Sequence, residues 1–456
     1  MTPPASKDKH AGVLDEPLLP EFSGGVHGGG GGASVSGAVF NVSTSIIGAG
    51  IMSIPAAMRV LGVAPALLLI AAVAALADVS VEFMLRYTGW AAGGKRAPTY
   101  AGLMGDAFGR AGAATLNVCI AFTTAGTLVV YLIIIGDVMS GSVGGGDEHA
   151  GVLRELFGAR WWTGREFVLL VTAVFVLLPL VLRRRVDSLR YTSAISILLA
   201  VVFMLISLGI AVYALFKGTA TMPRMLPDFS RLSSPFELFT AVPVIVVAFT
   251  FHFNVHPIRA ELSKTSDMKA AVRVSLVLCA AIYAAVGFFG FLLFGDNTMA
   301  DVLANFDRSS GAGVPQALND AARLSYALHL VLVFPLLLFS LRVNVDELLF
   351  PGRRPLAADT RRFVTLTAVL MAVLYALAIA IPSIWTLFEY SGSTFAVTIS
   401  LIFPGAIVLR DVHGIAKRKD KALAAMMIIL AVVTSSIAIA SNIMSSISDK
   451  VRGASR

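Results

Sequence analysis

Apolar stretches about as long as a bilayer is thick recur along almost the whole chain, separated by short polar or glycine-rich connections. A helix crossing the hydrocarbon core needs roughly 17 to 25 predominantly apolar residues. By that measure the sequence predicts about eleven transmembrane helices, at 36–61, 63–88, 113–140, 166–182, 191–216, 236–257, 270–294, 318–341, 362–381, 383–409 and 422–447. The fold class is therefore an all-α integral membrane protein, with a transmembrane domain over 36–447. Residues 1–35, which include LDEPLLP and the glycine run Gly28 to Gly32, lack periodicity and read as a disordered tail, and 448–456 as a short C-terminal tail. No apolar core follows a basic start in the first segment, so it does not read as a signal peptide.

Two of these spans are interrupted. The first, SVSGAVFNVSTSIIGAGIMSIPAAMRVLG from Ser34 to Gly62, carries Gly48-Ala49-Gly50 in its middle. Glycine lowers the cost of leaving helical torsions, so this span predicts two half-helices, the second beginning with free N–H groups near the bilayer midplane. Such donors suit an anion such as a carboxylate. The sixth span contains Pro243, then the polar cluster Thr250, His252 and Asn254, then His256-Pro257, which together disfavour a continuous helix. Irregular backbone at bilayer depth survives only where it lines a protected cavity. Taken as two repeats, spans 1–5 and 6–10 place their breaks at equivalent positions. That is the pattern of an inverted-repeat secondary transporter with an added eleventh helix.

Composition agrees: of 456 residues, 57% are hydrophobic and only 14% charged, against roughly 25% charged in a soluble domain. The net charge of +8 reports topology rather than nucleic acid. Lys and Arg divide 24 to 11 between the two sides, which places the N-terminus in the cytoplasm and, for an odd number of spans, the C-terminus in a lumen or outside the cell. Arg183-Arg184-Arg185 and the stretch Lys417 to Lys421 read as anchors near anionic lipid. Cys119 and Cys279 lie inside spans and read as packing residues. Asp78, Glu82 and Arg86 share one helix face, where Glu82 can pair with Arg86. No nucleophile elbow, Walker loop, zinc-protease helix or dinucleotide fingerprint occupies a connecting loop, so the chain does not read as an enzyme.

Four separate motifs occur in order: VFNVSTSIIGAGIMSIPAAMRVLG in the first span, FGDNTMADVLANF in a loop, YALHLVLVFPLLLFSLR in the eighth span and FEYSGSTFAVTISLIFPG in the tenth. On these the chain, from about Ser34 to about Ser446, resembles the amino acid/auxin permease family. Within it the chain is most similar to plant vacuolar-type amino acid transporters, which are related to animal sodium-coupled neutral amino acid transporters. The resemblance implies a LeuT-type 5+5 inverted repeat of eleven helices with helices 1 and 6 broken, and amino acid transport by alternating access. It also implies residence in a vacuolar or other endomembrane, with the plasma membrane as the alternative, and export from an acidic lumen to the cytosol.

Carried onto this chain, the resemblance nominates Ser43, Thr44, Ile47, Gly48, Ala49 and Gly50 for the α-carboxylate of an amino acid. Thr250 and Asn254 are nominated for its ammonium group. Histidine titrates between cytosolic and acidic pH, which nominates His252 and His329 for proton coupling or gating, and Glu389 joins them as a gating or protonation candidate. His252 and His256 stand four apart, a metal-like spacing, but Pro257 and the lack of a third ligand argue against a metal site. An acidic substrate would need a cation, for which Arg59 and His252 are the candidates. The sodium-coupled relatives carry threonines before the helix-8 proline; here Val331, Leu332, Val333 and Phe334 precede Pro335. Apolar side chains cannot replace hard oxygen ligands, so the expected coupling ion is H+. The alternatives are a sodium-coupled transporter and an amino acid sensor built on a transporter fold.

Overall fold

The computed structural model describes residues 34–91, 99–142, 149–182, 190–220, 222–230, 234–306, 314–353, 356–381, 387 and 391–454. Among the described residues the architecture is helical, apart from a two-residue antiparallel pair, Gly141–Ser142 with His149–Ala150. Among the described residues nine helices are long and apolar enough to cross a membrane, ten when one bent pair counts as a span. The helical run 165–181, interrupted by a π turn at Thr172–Leu177, fills the fourth expected segment and is shorter than the rest.

The bent pair is the first span. Helix α1, Val35–Ile46, ends at Ile47 in an extended conformation. A 3-10 turn, Ala49–Ser53, then leads into α2, Ile54–Leu61, and the two halves meet at 49°. Pro55 lies in the first turn of α2, where its missing N–H costs nothing. The break falls where the glycines predict it, but their role is mainly spatial. Gly48 has extended torsions (φ −149°, ψ −158°), and a Cβ there would overlap the Tyr131 hydroxyl. At Gly50 a Cβ would stand 2.9 Å from both Cα and Cβ of Ala248.

Ala248 closes α9, Ala241–Ala248, the first half of the sixth span; Phe249 to Phe251 are non-helical, and α10 runs His252–Glu261. The sixth span therefore breaks at Thr250, the first residue of the polar cluster, while His252, Asn254 and Pro257 sit within α10. A proline late in a short helix removes one internal donor without ending the helix. Gly50 thus brings the two breaks into backbone contact.

Around this pair stand α3, Val63–Ala91; α4, Tyr100–Ser140; α8, Arg190–Phe216; α11, Met268–Phe294; and α12, Gln316–Leu349. Helix α12 packs along α4 and α8, and α11 along α1, α2, α3 and α8. Helices α4 and α12 exceed their expected limits. Helix α4 starts at Tyr100, capped by Thr99 and kinked at Gly109, because a short glycine-rich helix precedes the long apolar run. Helix α12 continues past Leu341 because Arg342 is buried: its guanidinium donates to the Val181 carbonyl (3.1 Å) and to Thr367 Oγ1 (2.9 Å), over the Phe363 ring. Hydropathy stops at that charge; the packing does not.

At one end of α3 the expected Glu82–Arg86 pair forms at 3.3 Å and extends to Lys269 (2.8 Å from Glu82) and Asp420 (2.6 Å from Arg86). Arg273 joins through Asp78 at 3.1 Å. These side chains are partly exposed, so each pair contributes about 0–1 kcal/mol. The arginine run 183–185 and Glu389 lie outside the described residues. Overpacking a tight contact costs about 1–3 kcal/mol. Gly50→Ala should therefore lower the thermal midpoint of the detergent-purified protein, and Ala248→Gly in the same chain should restore part of the loss.

Candidate functional site

A helix that stops inside a membrane leaves its last carbonyls without helical donors, and no bulk water is there to take them. At the first break each of three consecutive carbonyls is taken by a side chain. Tyr283 of α11 donates to the Ile46 carbonyl (2.5 Å), and its hydroxyl also lies 2.9 Å from the Ala248 carbonyl at the end of α9. His329 of α12 places Nε2 3.2 Å from the Ile47 carbonyl. One turn earlier on α12, Tyr326 donates to the Gly48 carbonyl at 2.6 Å. From α4, Tyr131 covers Gly48 with its hydroxyl facing the Ala49 amide. One tyrosine therefore caps both broken helices, and two groups from α12 hold the break itself.

The amides point the other way along the chain. The first bond of the 3-10 turn runs from the Ile51 N–H to the Gly48 carbonyl (3.2 Å), so Ala49 and Gly50 precede the helical ladder. With α2 continuing the turn, this is the positive end of a short helix buried in the core. Buried polar atoms without a protein partner lie on the same elements: Ser43 Oγ on α1, Thr123 Oγ1 on α4, and both ring nitrogens of His252 at the start of α10. His252 is wholly buried. A buried polar group left unpaired in a native protein calls for an explanation, and a ligand or water partner supplies one.

The other nominated residues are committed to helix contacts. Thr44 Oγ1 lies 3.1 Å from the Ser193 carbonyl and 3.1 Å from Ser196 Oγ, and so joins α1 to α8. Asn254 donates to Ser45 Oγ (3.0 Å) and accepts from Ser340 Oγ, which ties α10 to α1 and α12. Thr250 Oγ1 donates to the Val246 carbonyl (2.7 Å) and contacts Ser400 Oγ (3.0 Å). Arg59 stands nine residues beyond Gly50, where it donates weakly to the Asp296 carbonyl (3.4 Å) and where Arg224 engages its own carbonyl. Of the two cationic candidates, only His252 is at a break. The residues that sequence reasoning missed are Tyr131, Tyr283 and Tyr326. Their signal was the phenol itself, since a buried tyrosine hydroxyl usually finds a partner.

Above the break, the connection between α11 and α12 folds inward. Its turn Val302–Phe306 buries Val302, Leu303 and Phe306. Phe306 meets Phe203 of α8 edge-on at 5.8 Å, and Phe203 meets Tyr326 at 5.4 Å. At the start of this turn burial pushes the Asp301 carboxyl up to about 7; the Leu303 amide, donating at 2.9 Å, pulls it down, and Asp137 pushes it up further.

Two broken helices joined at their breaks are the hallmark of the LeuT-type fold. The same architecture appears in MhsT solved with L-phenylalanine (TM-score 0.55, 18% identity, covering 91% of this chain and all of that one). It appears again in the Eremococcus coleocola manganese transporter (TM-score 0.54, 14% identity, 89% and 86% covered). Residues 31–448 match the family described as transmembrane amino acid transporter protein, and the chain belongs to that family. It is 53% identical to Amino acid transporter AVT6C of Arabidopsis thaliana over 91% of this chain and 94% of that protein. It is 26% identical to Sodium-coupled neutral amino acid transporter 7 of Danio rerio, covering 83% and 79%.

Two outcomes test this geometry. Tyr283→Phe removes the one O–H that the Ile46 and Ala248 carbonyls share, at a cost of about 1–3 kcal/mol, and should lower thermal stability and substrate affinity together. For Asp301, a carboxyl whose folded value exceeds its unfolded one favours the folded turn at low pH and loses that contribution as pH rises from about 4 through about 7. Hydrogen exchange at 302–306 should therefore be slower in acid than at neutral pH after correction for intrinsic rates, and Asp301→Asn should remove the difference.

Proposed function

We propose that the protein is a secondary active transporter that moves amino acids across a membrane by alternating access. The observation that carries this reading is the backbone contact between the two breaks at Gly50 and Ala248, beside the amides of Ala49 and Gly50 that precede the first 3-10 bond and the unpartnered His252. The α-carboxylate would rest on those amides, flanked by Ser43 and Ile47. The α-ammonium group would face the non-helical stretch Phe249–Phe251, whose carbonyls lie outside a helical ladder. His252 would supply a hydrogen bond or gate the site. Thr44, Thr250 and Asn254 act one layer out, holding the half-helices to α8, α10 and α12.

Coupling to protons rather than sodium is supported by the apolar run before Pro335. Val331, Val333 and Phe334 are buried and offer no side-chain oxygen to a hard cation. The resemblance to plant vacuolar-type amino acid transporters supports an endomembrane and export from an acidic lumen to the cytosol.

Uptake of a labelled amino acid panel by the purified protein in liposomes tests this reading. An inward proton gradient should drive accumulation, and replacing potassium by sodium at equal pH should leave the rate unchanged. A sodium requirement would overturn the coupling, and saturable binding without flux or exchange would overturn transport itself.

A further inference from the structure

His329 is wholly buried on α12 between two backbone carbonyls that belong to different helices. Its Nδ1 lies 2.6 Å from the Ser196 carbonyl of α8, and its Nε2 lies 3.2 Å from the Ile47 carbonyl at the end of α1. Both partners are acceptors only. A neutral imidazole has one N–H and one lone pair, so either tautomer satisfies one contact and turns a lone pair on the other carbonyl. Only the imidazolium donates to both. The Ile47 carbonyl also lies at the negative end of the twelve-residue helix α1, where a positive charge is favoured.

We infer that His329 is the proton-carrying group of the transport cycle, and that its protonated form is the bridge holding the broken end of α1 against α8. This inference rests on the proton-coupled reading above and names the residue that carries it. Protonation adds one proton from water on the acidic side to the ring and completes the second hydrogen bond. When α1 moves from α8, the Ile47 carbonyl leaves Nε2, the reason for the second proton disappears, and the ring returns it to the other side. Proton binding and closure of this contact are thereby linked reciprocally.

The surroundings leave the charge to these contacts. Tyr326 stacks on the ring at 4.8 Å from the same helix and holds the next carbonyl, Gly48. The hydroxyls of Thr44 and Ser196, both against the Ser193 carbonyl, form the polar layer between α8 and α1. From α4, Tyr131 lies across Gly48. Among the described residues no carboxylate and no second cation acts on the imidazole. His252, by contrast, has no carbonyl pair to reward a second proton.

The test compares wild type with His329→Gln in liposomes by two assays of one labelled amino acid. Exchange against internal unlabelled amino acid at equal pH reads binding and alternation alone; accumulation under a proton gradient reads coupling. The variant is expected to keep exchange, made independent of pH between about 5 and 8, and to lose accumulation. A variant that still accumulates with wild-type pH dependence overturns the inference. Wild type that exchanges but never accumulates also overturns it while leaving transport intact, whereas wild type with neither activity overturns the transporter reading instead.

If His329→Gln fails to fold, the nitrogen resonances of 15N-histidine-labelled wild type decide. A buried histidine with both nitrogens protonated and hydrogen-bonded at about pH 5 supports the bridge, and the lack of one rejects it.

Discussion

The structure depends on how a helix is allowed to stop where there is no water. Ending α1 at Ile47 orphans carbonyls that in a soluble protein would turn to solvent. Here those of Ile46 and Ile47 are met by Tyr283 and His329, and Tyr326 adds a second donor to the Gly48 carbonyl, all from two neighbouring helices. Unmet, each would cost about 1–3 kcal/mol or more, a large share of the roughly 5–15 kcal/mol that separates folded from unfolded domains. The break is therefore a feature of the whole bundle. It exists only because α11 and α12 supply donors at the right height.

That constraint also explains why the break can serve transport. Hydrogen bonds from side chains to a broken end are discrete and reversible, unlike the continuous ladder of an intact helix. A half-helix held by such bonds can be let go by breaking a few of them, which the proposed alternating access would require of a moving element. Tyr283 spans Ile46 and Ala248, so releasing α1 also disturbs the end of α9. The two broken helices are coupled at the point where their backbones touch, at Gly50.

Much of this was legible in the sequence. Span lengths, the first break at Gly48 to Gly50 and the Glu82–Arg86 pair follow from periodicity, glycine placement and helical spacing, all local properties of the chain. The sixth break falls at 249–251, at the start of the polar cluster Thr250, His252 and Asn254 where unwinding is expected, whereas His252, Asn254 and Pro257 lie within α10. The extension of α12 through Arg342 was hidden because a charge ends a hydropathy window, although the Val181 carbonyl, Thr367 and the Phe363 ring accommodate it.

The site was legible on the broken helices and not on the helices that hold them. Ser43 and His252 stand out as polar residues in apolar spans, and their side chains remain unpartnered. Thr44, Thr250 and Asn254 stand out equally, yet the fold uses them to join helices, and nothing local distinguishes the two uses. What separates them is the partner, and the partner lies about 150 residues away for Thr44 and Thr250 and 209 for Asn254 and Ser45. Tyr131, Tyr283 and Tyr326 are the extreme case: each reads as one aromatic among many, and each acquires its role only when a glycine or a carbonyl from the first helix arrives beside it. In a membrane transporter the sequence marks where the backbone breaks, while the response to that break is distributed over helices whose own patterns remain those of plain apolar spans.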